Sequence, residues 1–185
     1  HQIMKIITTT FAKHGLTKKR RVNKIWRVYS IICVFKYKHF ITFIIMKIGL
    51  LIPSTSKGRD NWKMYKDTYL YSSTLKTFLL TYDKEHEYIF YIGIDKGDRI
   101  YDDDHSKEKF IQYAKIMKNI SIQFIYMDGI KKGHLTVMWN RLFNIAYDDN
   151  CDYFFQCGDD IEFNTKHWVN DCIKTLEQSN NVGLT

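Results

Sequence analysis

The chain predicts an α/β fold built on a mostly parallel, doubly wound sheet, and three observations carry that prediction. Short apolar runs of strand length alternate with stretches of helical period. Each run breaks into small, polar or acidic residues, and the only proline, Pro53, stands at the first of those breaks. Strand and helix in alternation imply parallel strands joined by crossover helices. Ligands of such sheets bind outside the carboxyl ends of the strands, which is where the polar breaks fall.

Residues 47–52, KIGLLI, form the first run and end in Pro53, Ser54 and Thr55. The second, YIFYIGI at 88–94, ends in Asp95, Lys96, Gly97 and Asp98. Near-continuous apolar character suits strands covered on both faces. A helix is expected over 106–118, where Phe110, Ile111, Ala114 and Met117 make one stripe and Lys107, Lys109, Lys115 and Lys118 lie off it. The third strand, SIQFIY at 121–126, ends in Met127, Asp128 and Gly129. Tyr153, Phe154 and Phe155 form the fourth, which breaks abruptly into Gly158, Asp159 and Asp160. A last helix is expected over 165–176, with Trp168, Val169, Cys172, Ile173 and Leu176 on its stripe and Asn164 or Thr165 as its cap.

The net charge of +8 is unevenly placed. Ten Lys and Arg and no Asp or Glu fall in the first 46 residues, leaving 18 basic against 20 acidic residues, a net of −2, for the remainder. Residues 47–185 are long enough for one domain with its own core, and their near-neutral charge gives no support to a nucleic-acid partner. Residues 1–46 read as a basic, apolar-aromatic leader. Its stretch 25–46 is interrupted by Arg27, Lys36, Lys38 and His39, short of the ~20 apolar residues of a spanning helix. An interfacial or loosely structured extension that adds little to the core is expected. Peripheral membrane association through residues 1–46, or a Golgi-type anchor, stands as the alternative to a cytoplasmic location. Met46 falls directly before the first strand, so residues 1–45 also read as sequence upstream of a natural start. Cys33, Cys151, Cys157 and Cys172 lack CxxC or Cys/His spacing, which argues against a zinc site.

The acidic turn carries the chemistry. Two adjacent carboxylates repel, so a pair delivered by a strand end is costly unless a cation lies beside it, and a hard divalent ion holding phosphate oxygens is the usual solution. The plain alternative is a solvated Asp-Asp turn.

With its motifs in this order, the stretch 47–185 resembles the N-terminal, nucleotide-sugar-binding half of a GT-A-fold glycosyltransferase of the family 2 type, a Rossmann-like αβα sandwich. Pro53, Ser54 and Thr55 look like the turn that meets the nucleotide, and Asp95 is similar to the acidic residue that contacts base or ribose. Gly133, His134 and Leu135 lead into a helix with Met138, Trp139 and Asn140, similar to the segment that crosses behind the donor. Gly158-Asp159-Asp160 occupies the place of the DxD motif but departs from it at Gly158. The resemblance implies Asp160 as ligand of Mn²⁺ or Mg²⁺ and Asp159 as its donor-binding partner. It also implies a nucleotide-diphosphate sugar as substrate and a glycan, protein or lipid as acceptor. The general base would lie beyond Thr185, because 181–185 looks like the start of a fifth strand and the chain reads as truncated there.

Two other readings compete. A non-catalytic nucleotide-sugar-binding or interaction module would keep the fold without turnover. A polymerase-palm-like nucleotidyl transferase would recruit Asp95 and Asp98 to a second metal.

Overall fold

In the computed structural model, residues 45–131 and 133–179 are described, so the leader through Ile44 and the expected fifth strand at 181–185 lie outside the described residues. Strands β1 (Lys47–Ser54), β2 (Glu87–Ile94), β3 (Ile120–Tyr126) and β4 (Tyr153–Gln156) pair in the order β3-β2-β1-β4, parallel throughout. The four strands expected among the described residues are all present, and the α/β class with them. Between β1 and β2 lies a π-helical stretch, Leu70–Leu75, running into helix α1 (Lys76–Thr81). The sequence reading contains no helix there. Helices α2 (Asp104–Ala114), α3 (Leu135–Asp148) and α4 (Trp168–Gln178) follow the remaining strands. Among the described residues no helix is long and apolar enough to cross a membrane.

Strand alternation sorts the core into two layers. Ile48, Leu50 and Ile52 join Tyr88, Phe90 and Ile92 on one face, against Leu75, Phe78, Phe110 and Val169 from α1, α2, α4 and the stretch before α1. Leu51, Ile89 and Tyr91 face the other way, against Leu142 and Ala146 of α3. Each buried Ile, Leu or Phe side chain contributes roughly 1.5–3 kcal/mol, so the sheet centre is the main source of stability. Small residues let α3 approach closely. A Cβ at Gly49 would lie 3.2 Å from that of Ala146, and one at Gly93 would lie 2.7 Å from the Met127 methyl.

Two helix boundaries differ from expectation. Helix α2 begins where Asp103 accepts a hydrogen bond from the Ser106 amide at 2.8 Å, and it ends at Ala114, not Lys118. The chain must turn there because the Asn119 carbonyl already accepts from Tyr88 in the sheet. Helix α4 begins at Trp168, and neither Asn164 nor Thr165 caps it. Its N-terminal amide at Asn170 donates instead to the carboxylate of Asp83, 87 residues earlier in the chain, at 3.1 Å. The left-handed His167 (φ 62°) turns the backbone so that its imidazole also meets Asp83 at 2.8 Å.

Candidate functional site

The chain winds from β1 outward to β3 and then returns past β1 to β4, so the winding reverses between β1 and β4. A crevice opens at the carboxyl ends of strands at such a reversal. Pro53 helps to open it. The polar groups of Lys47 and Leu51 bond toward β4, as Asp152 N–H to Lys47 and Cys157 N–H to Leu51 show. Pro53, two residues on, would present its missing N–H on that same side. Pairing of β1 with β4 stops at Leu51–Gln156, while pairing with β2 continues to Ser54–Ile94. A proline is tolerated in this central strand because one neighbour has already departed.

Consecutive residues at the end of β1 serve two halves of the crevice. Pro53, Ser54 and Thr55 line a cavity of about 330 Å³ whose other walls are Met127, Ile130, Leu135 and Met138, with Asp95, Lys57 and Lys131 adding charge. The Asp95 carboxylate meets Lys57 Nζ at 3.0 Å and the Thr55 hydroxyl at 3.3 Å. Apolar walls with a few convergent polar groups suit an organic ring more than a free phosphate. His134 starts α3 without a side-chain cap and is not among the lining residues. Arg59 lies over the rings of Trp62 and Tyr69, at 5.4 and 5.0 Å, and so is spent on packing.

Ser54 lines that cavity too, and it also borders the other half. Its hydroxyl is buried without a hydrogen-bond partner, beside the buried Tyr101 and the acidic turn. Tyr101 donates to Asp159 Oδ2 at 3.3 Å. Burial pushes the Asp159 carboxyl above its ordinary value, the charge of Asp160 pushes it further, and the Tyr101 hydroxyl pulls the other way. Cys157 is raised to about 12, by burial first and then by both acids. Asp160 itself is exposed. Its Oδ1 folds back over Gly158, to 2.6 Å from where a Cβ would sit there, so a side chain at 158 would occupy the space that the carboxylate uses.

Asp98 locks the loops behind these groups, a role that its place after Gly97 only hints at. It accepts from the Ser56 amide and hydroxyl, both at 2.7 Å, and from the Ile100 and Tyr101 amides at 3.0 and 2.9 Å. Burial raises the Asp98 carboxyl, but these donors more than offset it and hold the group below its ordinary value. With its oxygens so engaged, Asp98 has no capacity left for the second metal of a palm-type site.

Among the described residues no three His, Cys, Asp or Glu side chains gather into a metal-binding cluster. The acidic turn can supply one or two carboxylates, the number with which Mg²⁺ sites are commonly built when substrate phosphates and water complete the shell. The like charges of Asp159 and Asp160 are the feature of this turn that a cation would relieve. Comparison with family models, curated proteins and solved structures found nothing that matches this chain.

Proposed function

We propose that this crevice binds a nucleotide-diphosphate sugar and that the protein is a glycosyltransferase of the GT-A type, acting with Mn²⁺ or Mg²⁺ on a glycan, protein or lipid acceptor. The observation that carries the reading is the placement of two chemically different sites at the ends of β2 and β4, with β1 between them. An apolar cavity edged by Asp95 suits a base, and an acidic turn two interstrand spacings away, roughly 10 Å, suits the metal end of a diphosphate. Ser54 at the end of β1, which lines the cavity and borders the acidic turn, joins the two.

Each residue then has a physical task. Asp95 accepts hydrogen bonds from the nucleoside, and Lys57, now paired with Asp95, can swing to a phosphate oxygen once the nucleoside takes its place. Asp160 would hold the cation with Asp159 beside it, and such an ion stabilises the negative charge that builds on the departing diphosphate. Tyr101 orients the Asp159 carboxyl from behind. Asp98, by fixing the Ser56 and Tyr101 amides, keeps the loops in register before any ligand arrives.

Titration calorimetry with UDP, GDP, CDP and ADP, each with and without Mn²⁺, tests the reading. Wild type is expected to bind at least one of them with metal-dependent affinity. Asp160→Asn is expected to lose the metal-dependent part, and Asp95→Ala to weaken nucleoside binding by roughly tenfold, as loss of a charged hydrogen-bond acceptor implies, without changing metal affinity. Unchanged binding by Asp160→Asn would leave the turn a structural feature only. Binding without sugar transfer to any acceptor would favour the non-catalytic module.

A further inference from the structure

The segment that carries Asp160 bonds to the helical stretch before α1, and the inference drawn from this rests on the donor-site reading above. After β4 ends at Gln156 the chain has no strand partner, yet it does not run free. Thr74, fully buried in the π-helical stretch before α1, places its hydroxyl 2.8 Å from the carbonyl of Asp159 and 3.0 Å from that of Ile161. These are the carbonyls of the two residues that flank Asp160 in the chain. Ser73 adds a hydroxyl contact to the Ile161 carbonyl at 3.2 Å, and Thr77 accepts from the Phe163 amide at 3.0 Å. Phe163 then anchors the segment in the core, 5.3 Å from Phe78 and 4.8 Å from Trp168 between ring centres.

The wider turn of a π-helix is tolerated mostly where it performs a task. Here it brings the Ser73 and Thr74 hydroxyls together against the acidic turn and the residue after it, where they stand in for the ladder bonds that β4 no longer supplies. We infer that Thr74 is a positioning residue: by holding the carbonyls on both sides of Asp160 it sets where the exposed carboxylate stands relative to the donor's diphosphate. Thr77 and Phe163 secure the segment further along, so loss of the Thr74 hydroxyl should shift the turn more than the fold.

The test uses the full chain as wild type, Thr74→Val and Thr74→Ser, with Mn²⁺ plus UDP or GDP as probes and uridine or guanosine without metal as the control. Thr74→Val is expected to weaken metal-dependent diphosphate binding by roughly tenfold, the scale of one lost positioning hydrogen bond. Thr74→Ser should restore it to within about twofold, since the donor is retained. Metal-free nucleoside affinity should be the same in all three, which a merely structural role would not allow. If Thr74→Val does not fold, Thr74→Cys, similar in size with only a weak S–H donor, takes its place. The inference is overturned if the variant binds Mn²⁺ and diphosphate like wild type while Asp160→Asn does not, or if nucleoside and diphosphate affinities fall together. Absence of metal-dependent binding in wild type would instead overturn the donor-site reading, and this inference with it.

Discussion

Asp98 and Asp159 are both carboxylates at strand-end loops, yet their surroundings move them in opposite directions. Asp98 is held low by the backbone amides it accepts from, against the pull of burial. Its stabilising contribution is therefore present above the unfolded carboxylate value, ordinarily near 3.9, and is lost as pH falls through the lower folded value. Asp159 is pushed up by burial and by Asp160. Its contribution is present below the unfolded value and is lost as pH rises through the folded one, so at neutral pH the ionised Asp159 costs stability. Asp159→Asn is accordingly expected to raise the melting temperature at pH 7 without metal, by roughly 2–4 °C. The difference should fade below about pH 4, where wild type is protonated too. Differential scanning fluorimetry across pH checks it, and a melting temperature equal to wild type at pH 7 would mean that Asp159 is better solvated than its burial implies.

At the scale of elements, the start of α4 shows a helix end stabilised from outside its own sequence. Asp83 receives the Asn170 amide and the His167 imidazole, and Asn170 in turn donates to Glu85 at 2.7 Å and meets His86 at 3.0 Å. This cluster seats the helix that covers Phe155 with Trp168, their rings 4.9 Å apart. Asp83→Ala leaves a helix-terminal amide without its acceptor and is expected to cost about 2 kcal/mol. Urea unfolding should show the loss as a lower midpoint at unchanged slope. A cost under about 0.5 kcal/mol, the range of an ordinary surface substitution, would mean that packing of Val169 and Ile173 alone seats α4.

At the scale of the molecule, the acidic turn and the cavity are tied to the same central strand, so ligand binding and global stability are linked. A nucleoside diphosphate with Mn²⁺ at a hundred times its dissociation constant is expected to add about 2.7 kcal/mol to wild type. Asp160→Asn is expected to match or slightly exceed the unliganded stability of wild type, since the exposed Asp160 side chain carries no part of the core and its charge repels Asp159, and to lose that increment. Thermal shift with metal alone, nucleotide alone and both together separates the cases. An equal shift in the variant would show that the ion binds elsewhere.

Strand positions, the polar breaks after them and the candidate residues Pro53, Ser54, Thr55, Asp95, Asp159 and Asp160 were legible in the sequence because each rests on short-range chemistry. Apolar runs define strands, and glycine, proline and adjacent carboxylates define the turns that end them. The order β3-β2-β1-β4 was not, since periodicity shows that a face is buried but never against which neighbour. Nor were the partners that make a site of those residues: Tyr101 is 58 residues from Asp159, and Thr74 is 85. The cap of α4 was misplaced for the same reason, as Asp83 is remote in sequence and adjacent only once the sheet has closed. Local preference therefore determined which segments become strands and where they stop. The closing of two apolar layers around β1 decided which loops meet, and with them the surroundings that set each carboxylate's charge.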